Sequence, residues 1–461
     1  MSRLPIIDVF AWEALDSRGK PTVGCEVTVA GGARGRAIVP SGASTGSHEA
    51  VELRDRDDRY SGDGTRAAVR SVNVELQSAV LGEDARDQSR IDAILEGLDP
   101  DPALSTVGAN AVLAVSLATL QATAGAECVP LWYHLSGGDP LIPMPMVNIV
   151  SGGAHAGGLL DIQDVLVVPI GARSFAEALE WASRVRRATG ALLNARGGSA
   201  TLVADEGGLS GALGDNAAAL SLVVDGITGA GFAPGTDVAI AIDFAANQMW
   251  TGSAYALRAE HRELSPAEWF ATVLGWCDQY PIVSVEDVLI EDDWVGWAEV
   301  SSALAAKTQV LGDDFFATNH ERLTRAVQEG IANAVLVKPN QAGSVSRAQR
   351  VLETAQASGY STVVSARSGD TEDTWLADLA VGWRAGQIKV GSTMRSERTA
   401  KWNRLLEIEA RAGERAIFAG RSALAPVNAP ERGGDSAGNL HSPARHEVTE
   451  ISSHHDRTGP G

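Results

Sequence analysis

At 461 residues the chain is too long for one small core, which leaves two domains or a single barrel with an added domain. Its 58 acidic against 38 basic residues leave a net charge of −20, which argues against nucleic acid or an anionic membrane surface as the main partner. Cys25, Cys128 and Cys277 are odd in number and widely spaced, so neither a disulfide framework nor a thiolate metal site is expected, and a reducing cytoplasm is the simplest home. The N-terminal Met1-Ser2-Arg3-Leu4-Pro5 lacks the long apolar core of a signal peptide.

Thr22 to Val29 and Ala33 to Val39 carry strand-like text, separated by the turn-forming pair Gly31-Gly32. Helical text dominates from about 63 to 135, so residues 1–138 are predicted to form an α+β domain. Its most apolar stretch, Ala109 to Ala126, is broken by Asn110, Ser116, Thr119, Gln121 and Thr123, and reads as a buried helix, not a membrane span. The Pro-rich run from Pro140 to Pro145 marks the crossing into a second domain, residues 139–426. There Val238 to Ile242, Ile282 to Val285, Gln309 to Leu311, Asn333 to Val337, Ser361 to Val364 and Gln387-Ile388 read as strands separated by helices, the first of these Pro266 to Trp276. Parallel strands joined by helices fit a doubly wound sheet or a closed barrel, and the number of units favours the barrel. Residues 427–461, rich in Gly, Ser, Pro and charge, are predicted to be a disordered tail; four of the nine histidines lie there at irregular spacing, which favours solvated coil over a metal-binding tail.

The apolar runs end on ionisable residues: Asp243, Glu286, Asp313, Lys338, Arg367 and Lys389. In a barrel of alternating strands and helices such ends meet on one face, gathering three carboxylates and three cations in one pocket. Crowded carboxylates repel unless a hard divalent cation neutralises them, which makes Mg2+ the natural occupant and a neighbouring lysine a plausible proton acceptor. Any one of these acids alone would equally serve as a helix cap. Near residue 200, Ala204-Asp205-Glu206-Gly207-Gly208 places a carboxylate beside glycines that let the backbone approach a ligand, although a plain acidic turn has the same text.

From about Pro5 to Leu424 the chain resembles the enolases. The matching segments are Asp16-Ser-Arg-Gly19, Pro40-Ser-Gly-Ala-Ser44-Thr-Gly46, Asp205-Glu206-Gly-Gly208, Ser284-Val-Glu286-Asp287, Gly312-Asp313-Asp314, Lys338-Pro-Asn340-Gln341, Arg367-Ser-Gly369, Gly386-Gln-Ile-Lys389 and Arg395-Ser-Glu-Arg398. The resemblance implies an enolase-like (β/α)8-type barrel with a smaller N-terminal α+β domain. It also implies a Mg2+-dependent lyase that removes the C2 proton of 2-phosphoglycerate and expels the C3 hydroxyl to give phosphoenolpyruvate, and a homodimer formed through the smaller domain. By the same resemblance Asp243, Glu286 and Asp313 hold the first Mg2+, and Ser44, in a mobile lid, a second. Lys338 is the general base, expected to be held neutral by the metal and Lys389; a Lys or His base working beside one or two Mg2+ ions is a known property of enolase-superfamily sites in general. Glu206 is the general acid. His155, Gln163 and Asp164 contact substrate, Arg367 and Ser368 bind its phosphate, and Lys389 holds its carboxylate. Without the family, the Ser44 loop is only a Gly/Ser linker and His155 a lone histidine.

The chain also departs from the family. Asp164 stands where enolases have Glu, Ala366 where they have His, and Lys20 where they have Asn. The loop around His155 has become Ala154 and Gly157-Gly158-Leu159-Leu160, and Leu209-Ser210-Gly211-Ala212 follows the Gly-Gly pair. The metal ligands and base are kept while the leaving-group side has changed. That leaves room for a specialised relative acting on a phosphonate or other small phosphorylated acid, such as a carboxyphosphonoenolpyruvate synthase. A non-catalytic enolase-like binding protein is the remaining alternative, against which the intact Glu206, Lys338 and Lys389 argue.

Overall fold

The computed structural model describes residues 3–43, 46–211 and 213–424, so Ser44 and the predicted tail lie outside the described residues. Strands β1 (Ile6–Leu15), β2 (Pro21–Val29) and β3 (Arg34–Ile38) form an antiparallel sheet. Gly31 and Gly32, both at positive φ (93° and 85°), make the β2–β3 turn, a conformation that glycine takes without the steric cost a Cβ brings.

The inner face of this sheet is covered by helix α1 (Ala109–Ala126). By length and composition α1 could cross a membrane, but 83% of its residues are buried inside the protein, which identifies it as a core helix. It lies so close to β3 that a Cβ built on Gly35 would stand 2.0 Å from the Ala118 carbonyl oxygen and 2.2 Å from the Ala122 nitrogen. Both obstacles are backbone and cannot rotate away. Gly35→Ala is therefore expected to cost about 3 kcal/mol, the upper range of overpacking, read as a lower denaturant midpoint at unchanged slope. An unchanged midpoint would show that α1 is not seated on β3 in this way.

The rest of the chain closes an eight-stranded barrel. Its strands are β4 (Met144–Ser151), β5 (Asp164–Val168), β6 (Ala239–Asp243), β7 (Ile282–Glu286), β8 (Gln309–Gly312), β9 (Ala334–Val337), β10 (Ser361–Ser365) and β11 (Gly386–Gly391). Helices α2 (Phe175–Ala195) and α3 (Asn216–Gly229) both fall between β5 and β6. The predicted barrel is thus present, with one difference: β5 runs antiparallel to both β4 and β6, while the other neighbours are parallel. Side chains at alternating positions, among them Met144 and Met146, Leu166 and Val168, Ala239 and Ala241, pack together inside the barrel. The interior is therefore a filled core, and polar chemistry is confined to the strand ends above it.

Candidate active site

Strand register brings the ionisable endings together. Asp243 and Glu286 are paired across β6 and β7, and Lys389 on β11 is paired with Ser365 at the end of β10. Asp313 and Lys338 each follow directly on β8 and β9. Because β5 is antiparallel, its first residue, Asp164, and the preceding Gln163 arrive at this same face, Asp164 level with Asp243. A small cavity here is lined by His155, Gln163, Glu206, Asp243, Asp313 and Lys338, among others, together with Ala366, Arg367, Ser368 and Lys389. Two residues expected in it are set back: Glu286 and Asp164 do not line the cavity, and both are buried behind its wall.

The lysines lock onto the carboxylates. Lys389 Nζ donates to Asp243 Oδ2 at 2.7 Å and to both Glu286 oxygens at 2.8 and 2.9 Å. Lys338 Nζ donates to Asp313 Oδ2, and the other Asp313 oxygen accepts from Gln341 at 3.0 Å. Gln163 adds a bond to Asp243 at 3.0 Å. At Lys338 burial works against the charge, as do Arg367 and Lys389, but Asp313 outweighs them and holds the ammonium above its ordinary range. Lys389 is likewise held well above its range, burial being outweighed by Asp243 and Glu286.

Glu206, also lining the cavity, rides on a loop between α2 and α3 that is fixed through its backbone. Its carbonyl accepts from Ser392 N–H at 2.8 Å, and Arg186 donates to the Gly207 carbonyl at 3.0 Å. A Cβ on Gly208 would stand 2.4 Å from Ser151 Oγ, which shows how tightly the loop is pressed against β4. His155 lies between two acids, Nδ1 3.0 Å from Asp164 Oδ2 and Nε2 4.0 Å from Glu206 Oε1. Burial opposes its charge, but Asp164 and Glu206 prevail and raise the imidazolium pKa to about 9.

Arg367 forms a buried, bidentate pair with Glu49, at 2.8 and 3.2 Å. Ser368 Oγ accepts from the Ala43 N–H at 2.6 Å, tying the loop before Ser44 to the strand end. Sequence reasoning passed over Glu49, Asn148, Ser151 and Thr318. Thr318, in a left-handed backbone conformation (φ 49°), accepts from Lys338 N–H at 2.9 Å and donates to Gln341 Oε1 at 2.6 Å. Only Asn148, a polar residue within an apolar run, carried a local signal.

Both halves of the chain match known families over their length. Residues 6–135 match the enolase N-terminal domain, and residues 139–427 match the enolase C-terminal TIM barrel domain. The chain belongs to the enolase family. Its site chemistry can therefore be set against what an enolase-like lyase requires.

For the metal that enolases typically use, the strand-end acids suit by donor chemistry, while the groups whose ligand atoms lie within 4.8 Å of one another among the described residues are Asp287, Asp313 and Asp314, and His155, Asp164 and Glu206. Asp243, Glu286 and Asp313 offer oxygen donors alone, from consecutive strand ends, as a hard divalent cation prefers. Burial, and after it Asp243, pushes the Glu286 carboxyl well above the carboxylate range, against the opposing pull of Lys389 and Lys338. Asp287, Asp313 and Asp314 crowd a second group of carboxylates beside them, where Asp287 accepts the backbone N–H groups of Asp313 and Asp314 at 2.9 and 2.8 Å.

Proposed function

We propose that this enolase-family chain is a Mg2+-dependent lyase that removes the C2 proton of 2-phosphoglycerate and expels the C3 hydroxyl to yield phosphoenolpyruvate. The observation that carries the reading is that Lys338 and Glu206 line one small cavity together with Asp243, Asp313 and Lys389. A proton next to an ionised carboxylate is very weakly acidic, so the base alone is not enough; positive charge must already face the carboxylate that gains electron density.

Mg2+, held by Asp243, Glu286 and Asp313, would supply most of that charge and neutralise the acids that now bind the lysines. Lys389 faces the same carboxylate as a fixed cation. Lys338, drawn by Asp313 to the strand end, takes the C2 proton once it is neutral. Glu206, from its own loop, protonates the departing hydroxyl, so the two proton transfers use different groups. Arg367, with Ser368, addresses the phosphate, which would take the place of Glu49 on the guanidinium fork. Enclosure by buried walls keeps water away from the carbanion-like species. A cytoplasmic location and a homodimer complete the proposal. Incubating the protein with Mg2+ and 2-phosphoglycerate while following phosphoenolpyruvate absorbance tests it, and no absorbance rise at high enzyme would refute it.

A second reading, a relative specialised for a phosphonate or another phosphorylated hydroxy acid, is favoured by Ala366 on the cavity wall and the set-back Asp164. Under it, the paired change Asp164→Glu with Ala366→His is expected to raise turnover of 2-phosphoglycerate severalfold, since catalytic geometry responds to displacements of about 1 Å. Robust turnover by the unaltered protein at a level typical of enolases would sink this second reading.

A further inference from the structure

We propose that Asp164 is a positioning residue, which anchors His155 by Nδ1 in the barrel wall and so presents its Nε2 beside Glu206 on the leaving-group side of the cavity. The assignment rests on the elimination reading above and deepens it. A longer glutamate at this position would reach about one methylene further toward substrate. Asp164 instead has both oxygens engaged in the wall. Oδ1 accepts from Asn148 Nδ2 and, at 2.8 Å, from Ser151 Oγ, while Oδ2 faces His155 Nδ1 at 3.0 Å. The residue is fully buried and does not line the cavity, so it has nothing left to offer substrate directly.

His155 does line the cavity, and it has an acid at each ring nitrogen. Nδ1 is hydrogen-bonded to Asp164, and Glu206, at 4.0 Å, sets a second carboxylate near Nε2, so the doubly protonated ring is the form this arrangement favours. The charged groups that bear on the ring are Asp164 on β5, Glu206 in its loop and Asp243 at the end of β6, with Lys389 on β11 bonded to Asp243 and interacting electrostatically with the other two acids. Burial is outweighed, and the imidazolium is kept up to about pH 9. The loop bearing Glu206 is seated on the same Asn148–Ser151 wall, since a Cβ on Gly208 would meet Ser151 Oγ at 2.4 Å and Asn148 Oδ1 at 2.9 Å. Asp164, His155 and Glu206 are thus held by one structural support, and with Ala366 in place of the family's histidine the His155 N–H is the ring donor left facing the departing group.

The test reads the ring directly. In full-length, isotope-labelled protein, the His155 resonances are assigned by difference against His155→Gln and titrated from about pH 5.5 to about pH 9.5. The unaltered ring is expected to stay doubly protonated past about pH 8, whereas in Asp164→Asn it should titrate near the ordinary value of about 6.5. With 2-phosphoglycerate as probe, Asp164→Asn should lower kcat about tenfold or more at pH 8 with little change in KM, and move the alkaline limb of the pH profile down by about one unit or more. A ring already neutral near pH 7.5 in the unaltered protein, or a titration that Asp164→Asn leaves in place, would overturn the proposal. Should the variant fail to fold, the titration of the unaltered protein still decides. Absence of 2-phosphoglycerate turnover would strike the proposed function alone, because the ring is read without substrate.

Discussion

Lys338→Ala is expected to lower turnover by about 10³-fold or more and to stop exchange of the substrate C2 proton with solvent deuterium. Glu206→Gln is expected to lower turnover comparably while leaving that exchange running. The contrast follows from where the two residues stand: Lys338 is bonded to Asp313 at the strand ends, whereas Glu206 sits in a separately fixed loop beside His155. A base acts before the C–O bond breaks, so its loss removes exchange and elimination together. An acid acts on the departing hydroxyl, and its loss strands a carbanion that can be reprotonated from the base. Exchange measured by proton NMR of recovered 2-phosphoglycerate separates the two, and exchange at the parent rate in Lys338→Ala would assign the base elsewhere.

The ends of the parallel strands were legible because each strand is a short apolar run closed by a single ionisable residue. Asp243, Glu286, Asp313, Lys338 and Lys389 could be named from that pattern before any geometry was known. Strands β4 and β5 were not read. Pro145 made the first look like a linker, and the second is five residues long and runs the other way, so its polar residues precede the apolar run instead of following it. What escaped altogether depends on pairing over distance: Glu49 meets Arg367 from 318 positions away, and Asn148 reaches Asp164 across two strands. No local text announces such partners. Asp164 shows the limit most clearly: its residue type suggested a hand on the substrate, and no local text announced that its oxygens meet Asn148, Ser151 and His155.

Asp313→Asn is expected to weaken Mg2+ binding by at least about tenfold, the loss that even outer-shell partners of a metal cause. The substitution keeps the shape of the side chain and its bond from Gln341, which reaches Asp313 Oδ1 at 3.0 Å. It removes one of the three negative charges, and with it the ion pair to Lys338. Two roles for Asp313 therefore predict different outcomes. As a metal ligand, Asp313 supports Mg2+ affinity itself, so calorimetric titration should show a weaker site and activity should be partly recovered at high Mg2+. As a mere counterion of Lys338, it would leave the affinity unchanged and depress turnover at every Mg2+ concentration. What supports the first outcome is the placing of the acids: Asp243 and Glu286 are paired across β6 and β7, and Asp313 follows directly on the neighbouring β8, so a cation among these strand ends would be stabilised by all three. Equal Mg2+ affinity in the parent and in Asp313→Asn would remove Asp313 from the ligand set.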